Sequence, residues 1–235
     1  MIRARCHPKL RPLLPEPVPA AQTLPDWLKS MPSEVAAPSL GGEVVRTLKH
    51  CPPIIDALSS GVIIPLATDL HISNGEIAWD WDPPILQDAL ISRAPVGLHV
   101  PEQASGAPFK LASNAVVKFI NFWTLETPPG WSLLFTHPLN REDLPFRALS
   151  GVVDCDLFKD GYVHFPALWS DLNFEGTLAK GTPVAQVFAI QREVPALDVG
   201  DMTENEIARN REVQHALGQE RGVYRKSFRQ RHRPG

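Results

Sequence analysis

Cysteine is scarce in this sequence. Cys6, Cys51 and Cys155 are the whole supply among 235 residues, and no C-x-x-C pair occurs. An odd, widely spaced set of this kind excludes a cysteine zinc site and a disulfide framework as organising devices. Histidine pairs of the H-x-H or H-x-D type are absent too. No apolar run approaches the roughly 20 residues that a membrane-spanning helix needs, and the first residues lack the apolar core of a signal peptide. These readings predict a cytoplasmic protein with no membrane partner. The formal charge is only −3, so bulk electrostatics does not make the molecule a polyanion binder. No internal repeat is evident.

What the chain has in quantity is proline, 24 residues against 15 glycines, which favours loops and extended segments over a helical bundle. At 43% hydrophobic it can close one sizeable core, with or without arms. Pro8, Pro12, Pro15, Pro17 and Pro19 stand among few apolar anchors, which predicts an extended N-terminal arm. Trp27, in a short helical turn, is a candidate to dock that arm. Ile54 to Leu58 predicts a short helix and Val62 to Leu66 a buried strand. Asn74-Gly75 lies between Leu70–Ser73 and Glu76–Trp81. It supplies the two positive φ values of a type I′ hairpin turn. Further strands are predicted at Val96–Val100, Ala115–Thr124, Trp131–Phe135, Tyr162–Pro166, Phe174–Leu178 and Val184–Ile190. Thr203-Glu204-Asn205-Glu206 fits a capping box opening a helix to about Leu217. A basic tail, Arg225 to Arg233, follows it.

Three short motifs then stand in order: Pro129-Gly130, Gly151-Val152-Val153-Asp154-Cys155-Asp156, and Gly181-Thr182-Pro183-Val184-Ala185-Gln186. Together they resemble the trimeric dUTPase and dCTP deaminase superfamily, which has a β-clip fold. The likeness covers Lys118 to Ile190. It implies a mainly β, dUTPase-like distorted barrel over residues 52–191. An arm of residues 1–51 and a C-terminal helix with a basic tail over residues 192–235 would flank it. A homo-oligomer is implied as well. Lys49, Cys51, Pro53 and Lys118 to Trp123 also resemble a group of tailed-phage and bacterial proteins, a likeness that supplies no activity.

The dUTPase resemblance implies that Asp154 holds a deoxyribose and orients water, with Gly151 beside it and Gln186 near the phosphates. Leu157 stands where an aromatic should stack under the sugar, and Phe158 follows one step later. Thr136 to Arg141 replaces the family's Arg-Ser-Gly phosphate motif, and no glycine-rich C-terminal loop is present. Arg141, beside His137, is the candidate substitute, because a guanidinium grips phosphate oxygens in pairs. Glu126 precedes the aspartate loop, so the deaminase glutamate role is not carried over to it.

Read from the residues alone, Asp154 and Asp156 straddle Cys155, and on an extended strand their carboxylates would share a side. Two close carboxylates suit Mg²⁺ or an oriented water, whereas a polar turn satisfying backbone N–H groups needs no ligand. Nucleotide binding, with Mg²⁺ accompanying the nucleotide, heads the functional readings. A second is a non-haem iron enzyme using two of His71, His99, His137 and His164 with Asp69 or Asp154. A third is a non-catalytic structural or interaction protein. The basic tail adds nucleic acid as a candidate partner.

Overall fold

The computed structural model describes residues 1–86, 92–109, 116–193, 195–220 and 222–230. In chain order the first elements are β1 (Arg3–Arg5), β2 (Val18–Pro19), α1 (Asp26–Ser30), β3 (Glu34–Ala37), β4 (Glu43–Arg46) and α2 (Pro52–Ser59). Next come β5 (Val62–Pro65), β6 (Leu70–Ser73), β7 (Glu76–Ala78), β8 (Val96–His99), β9 (Val116–Phe119) and β10 (Thr124–Glu126). The series ends with β11 (Trp131–Thr136), β12 (Phe146–Ala148), β13 (Gly151–Val153), β14 (Phe165–Trp169), β15 (Gly176–Leu178), β16 (Pro183–Gln191) and α3 (Glu204–Gln219).

The fold is mainly β, as the strand series predicts. A five-stranded sheet runs β13-β11-β16-β5-β2, a four-stranded sheet β12-β14-β9-β8, and a three-stranded sheet β15-β6-β7. Two ribbons, β1-β10 and β3-β4, complete it. No sheet closes on itself among the described residues, so the expected barrel is realised as open sheets around a shared core. Ile64, Leu133, Phe135 and Val187 from the five-stranded sheet meet Phe119, Phe146 and Phe165 from the four-stranded one. Leu70 and Ile72 bring in the third sheet.

Local chemistry places the turns. Asn74 (φ 52°) and Gly75 (φ 77°) make the β6–β7 turn, pairing Ser73 with Glu76. Pro129 and Gly130 (φ 81°) form a turn closed by Trp131 N–H donating to Pro128 O at 3.2 Å, the type II arrangement with glycine where φ is positive. Gly61 has φ 76°, and a Cβ there would lie 2.4 Å from Val187 O, so no larger residue fits where β5 meets β16.

The N-terminal arm is woven into the body. β1 pairs with β10, and β2 joins the five-stranded sheet beside β5. Leu10 and Leu14 pack with Ile120, Phe122 and Trp123. The arm's aromatic anchor is Trp123 of the body. Its Nε1 donates to Pro15 O at 3.2 Å, and the Arg11 guanidinium lies 5.1 Å from its ring centroid. In α1 it is Leu28, not Trp27, that is buried. At the other end, Thr203 and Glu206 make the reciprocal capping box, and α3 extends to Gln219. Arg229 then folds back on α2, giving Asp56 a two-pronged guanidinium contact. The tail beyond Gln230 lies outside the described residues.

Candidate functional site

The aspartate segment leaves β13 as a turn, a correction to the extended strand inferred from sequence. Leu157 and Phe158 N–H both donate to Asp154 O, at 3.0 and 2.8 Å, which bends the chain immediately after Val153. The carboxylates nevertheless converge, because Arg192 reaches them from the end of β16. Its Nη1 lies 3.4 Å from Asp154 Oδ2, and its Nη2 contacts Asp156 Oδ2. The backbone of Gly130 locks the same point. Its N–H donates to Asp156 Oδ2 at 2.9 Å, and its carbonyl accepts from Arg192 N–H at 3.0 Å. Ser132 Oγ, buried on β11, donates to Asp154 Oδ1 at 2.6 Å.

The two aspartates differ in environment. The Asp156 side chain is 7% exposed and that of Asp154 is 52% exposed. Burial pushes the Asp156 carboxyl upward, but the Gly130 N–H and the Arg192 guanidinium outweigh it and hold the group below the ordinary carboxylate range. Asp156 Oδ1 is buried without a partner. Between them, Cys155 is fully buried, and its thiol is pushed up to about 11 by burial and by both neighbouring carboxylates. It is a protonated core thiol, not a nucleophile. Two carboxylates against one guanidinium leave the cluster at −1, which repels phosphate unless a cation accompanies it.

The other candidates lie elsewhere. Gln186 is 1% exposed on β16, opposite Thr136. Thr136 is five residues along β11 from Trp131, roughly 17 Å at the strand rise of about 3.4 Å per residue. Gln186 Oε1 accepts from Leu139 N–H at 2.8 Å, and its Nε2 donates to Ala57 O at 3.0 Å and Ser60 O at 2.6 Å. Gln186 therefore clamps the end of α2 and the loop after β11 onto the sheet.

Arg141 makes a two-pronged contact with Asp143, at 2.8 and 2.9 Å. His137 Nε2 is 3.1 Å from Arg141 O, and its Nδ1 accepts from Ala148 N–H at 3.2 Å, which fixes the neutral Nε2–H tautomer. Burial lowers the His137 pKa, consistent with that tautomer. Gly151 sits exposed in β13 opposite Phe135. Phe158, one step beyond the position where the resemblance calls for an aromatic, lies against Gly161 so closely that a Cβ there would be 2.2 Å from its ring.

The histidines of the iron reading are spread over separate elements. His71 Nδ1 meets Thr177 Oγ1, His99 Nδ1 meets Gln103 Oε1, and His164 Nδ1 accepts from Asn121 N–H. Among the described residues no three His, Cys, Asp or Glu side chains gather as metal ligands. Among them, too, no helix is long and apolar enough to cross a membrane.

Sequence reasoning missed Arg192. Its signal was positional: it follows the apolar run of β16 and falls, by antiparallel register, beside the Pro-Pro-Gly turn. It missed the β3–β4 ribbon entirely. The ribbon pairs Glu34 with Arg46 through Ala37 with Glu43, and both of its faces are solvent-exposed.

No protein-family model matches this chain, and no curated protein does. Among solved structures, a dUTPase of Staphylococcus bacteriophage 80alpha, solved with dUpNHpp, is similar at 12% identity. The match covers 61% of this chain and 77% of that one, with a TM-score of 0.32. A likeness of that depth says nothing about what this chain does.

Proposed function

We propose that this chain is an interaction protein that assembles with copies of itself through the β3–β4 ribbon, the β domain serving as its rigid mount. The observation that carries this reading is the ribbon's surface. Val35 is 41% exposed, Leu40 57%, Val44 54% and Leu48 54%. A two-stranded ribbon alone in water is only marginally stable, and Val35 on one face and Val44 on the other are both exposed, so a partner on either face would stabilise it. Its outer edges pair with no strand among the described residues. Natural edge strands are guarded by charged side chains, by proline or by bulges; here Glu34, Glu43 and Arg46 stand only at strand ends, and Val35-Ala36-Ala37 and Val44-Val45 carry no guard. Glu34 and Arg46 pair with each other across the ribbon, Arg46 Nε 3.7 Å from Glu34 Oε1, so a two-fold contact with a second copy would rest on the apolar side chains. Light scattering over a concentration series tests this. Assembly that Val44→Glu abolishes supports the ribbon, and assembly unaffected by Val35→Glu and Val44→Glu together rejects it.

A second reading keeps the β-clip resemblance and makes the Asp154 turn a nucleoside site. What favours it is that two of the three motif segments, Pro129-Gly130 and Asp154 to Asp156, meet at one end of the sheet. There Asp154 presents a half-exposed carboxylate beside Ser132 and Arg192. Gln186, spent on backbone partners within its own chain, takes no part. Titration calorimetry with deoxynucleotides and Mg²⁺ decides it: heat that Asp154→Asn removes supports the site, and absence of heat with all of them ends it.

A further inference from the structure

A cleft of about 340 Å³ opens between α1, the segment after β4, α2 and the C-terminal turn that follows α3. Its apolar lining is Leu24, Leu28, Pro52 and Ile55. Lys29, Lys49, His50, Arg225 and Arg229 surround these. Pockets that hold small ligands start at about 300 Å³ and combine an apolar lining with a few placed polar groups.

The charge count narrows the ligand. Lys29 is paired with Asp26 at 2.8 Å, and Arg229 with Asp56 at 2.5 Å, so these four cancel. Lys49 Nζ donates to Lys29 O and Met31 O, at 2.8 and 3.1 Å, which positions the ammonium without neutralising it. Arg225 has no hydrogen-bond or ion-pair partner among the described residues. The fixed surplus is therefore two positive charges over an apolar lining, in a protein whose overall charge is −3. Arg225 lies in the π-type turn Tyr224–Phe228 and Arg229 caps it, and both line the cleft.

We infer that this cleft binds a phosphate monoester carrying an apolar or aromatic body. A monoester dianion carries about −1.5 to −2 at neutral pH, which matches the surplus that Lys49 and Arg225 leave. The Arg225 fork takes two phosphate oxygens, Lys49 supplies a point charge, and Leu28 and Ile55 cover the carbon skeleton. Because the lining residues come from both ends of the β3–β4 ribbon, a bound ligand braces the ribbon's base. The inference stands independently of what the ribbon contacts.

Calorimetric titration of the full chain with phenyl phosphate, inorganic phosphate and phenol tests it. Phenyl phosphate should bind at least about tenfold more tightly than either fragment, since charge and apolar cover each contribute. Arg225→Ala, and Arg225→Gln of similar reach, should each weaken phenyl phosphate about tenfold. Arg225 is exposed, so both variants should keep the parental urea midpoint, and Arg209→Ala on α3 should leave binding unchanged. Phenyl phosphate no tighter than inorganic phosphate, or equal binding in both Arg225 variants, would overturn the inference.

Discussion

The Asp154–Asp156 turn and the β3–β4 ribbon differ in their polar groups, although both leave apolar side chains outside: Leu157 is 78% exposed and Phe158 48%. At the turn, charged side chains are drawn into the protein's own architecture: Arg192 holds both carboxylates, Gly130 is fastened by donor and acceptor at once, and Ser132 closes the set. At the ribbon, apolar side chains face water and backbone edges lie open. Polar chemistry satisfied inside a chain is spent on holding that chain together. Apolar surface left outside it becomes a candidate interaction surface where it is contiguous, and is ordinary where it is scattered. On the proposed reading the motif-bearing turn is scaffold and the ribbon is the interaction surface.

Substitutions break that comparison in order of effect. The largest belongs to Gln186. Gln186→Ala strands Leu139 N–H and the carbonyls of Ala57 and Ser60 and should lower unfolding free energy by about 3 kcal/mol or more, read by urea denaturation. A loss below about 1 kcal/mol would mean that water replaces the clamp readily. Ser132→Ala, which removes one hydroxyl from Asp154, should cost about 1 kcal/mol in the same assay.

Acidification acts more gently. Burial holds the pKa values of His137 and His164 below the ordinary histidine value. Below about pH 6.5 the unfolded chain then takes up protons that the native chain refuses. Stability should fall as pH drops from that point toward the depressed native values, and be flat above it in this respect. His137→Gln should reduce the slope, as urea midpoints across the window would show. Smallest in stability is the ribbon itself: Val44→Glu should shift unfolding of the dissociated chain by no more than about 0.5 kcal/mol, while changing assembly outright.

Much of the fold was legible because its determinants are local. Asn74-Gly75 dictates its turn through backbone conformation alone, and Thr203 with Glu206 caps α3 within one turn of helix. The β-branched run at Val62-Ile63-Ile64 names its own strand. The site was less legible because its partners are distant and anonymous. Gln186 bonds the backbone of Ala57, 129 residues away, and every residue type offers the same carbonyl. Arg192 meets Asp156 across 36 residues through a strand register that the sequence does not print. The ribbon went unread for a different reason. Its strands are four residues long, β3 half alanine and β4 with Val44 and Val45 adjacent, too short for an alternation pattern to rise above loop.

The most direct test is light scattering on the parent chain and Val44→Glu at matched concentrations, with urea midpoints measured alongside. The account predicts a parent that assembles, a variant that is monomeric, and midpoints that agree at concentrations where the parent is dissociated, since assembly itself stabilises the parent by mass action. A monomeric parent, or a variant that assembles like it, would contradict the assignment of the ribbon as the working surface.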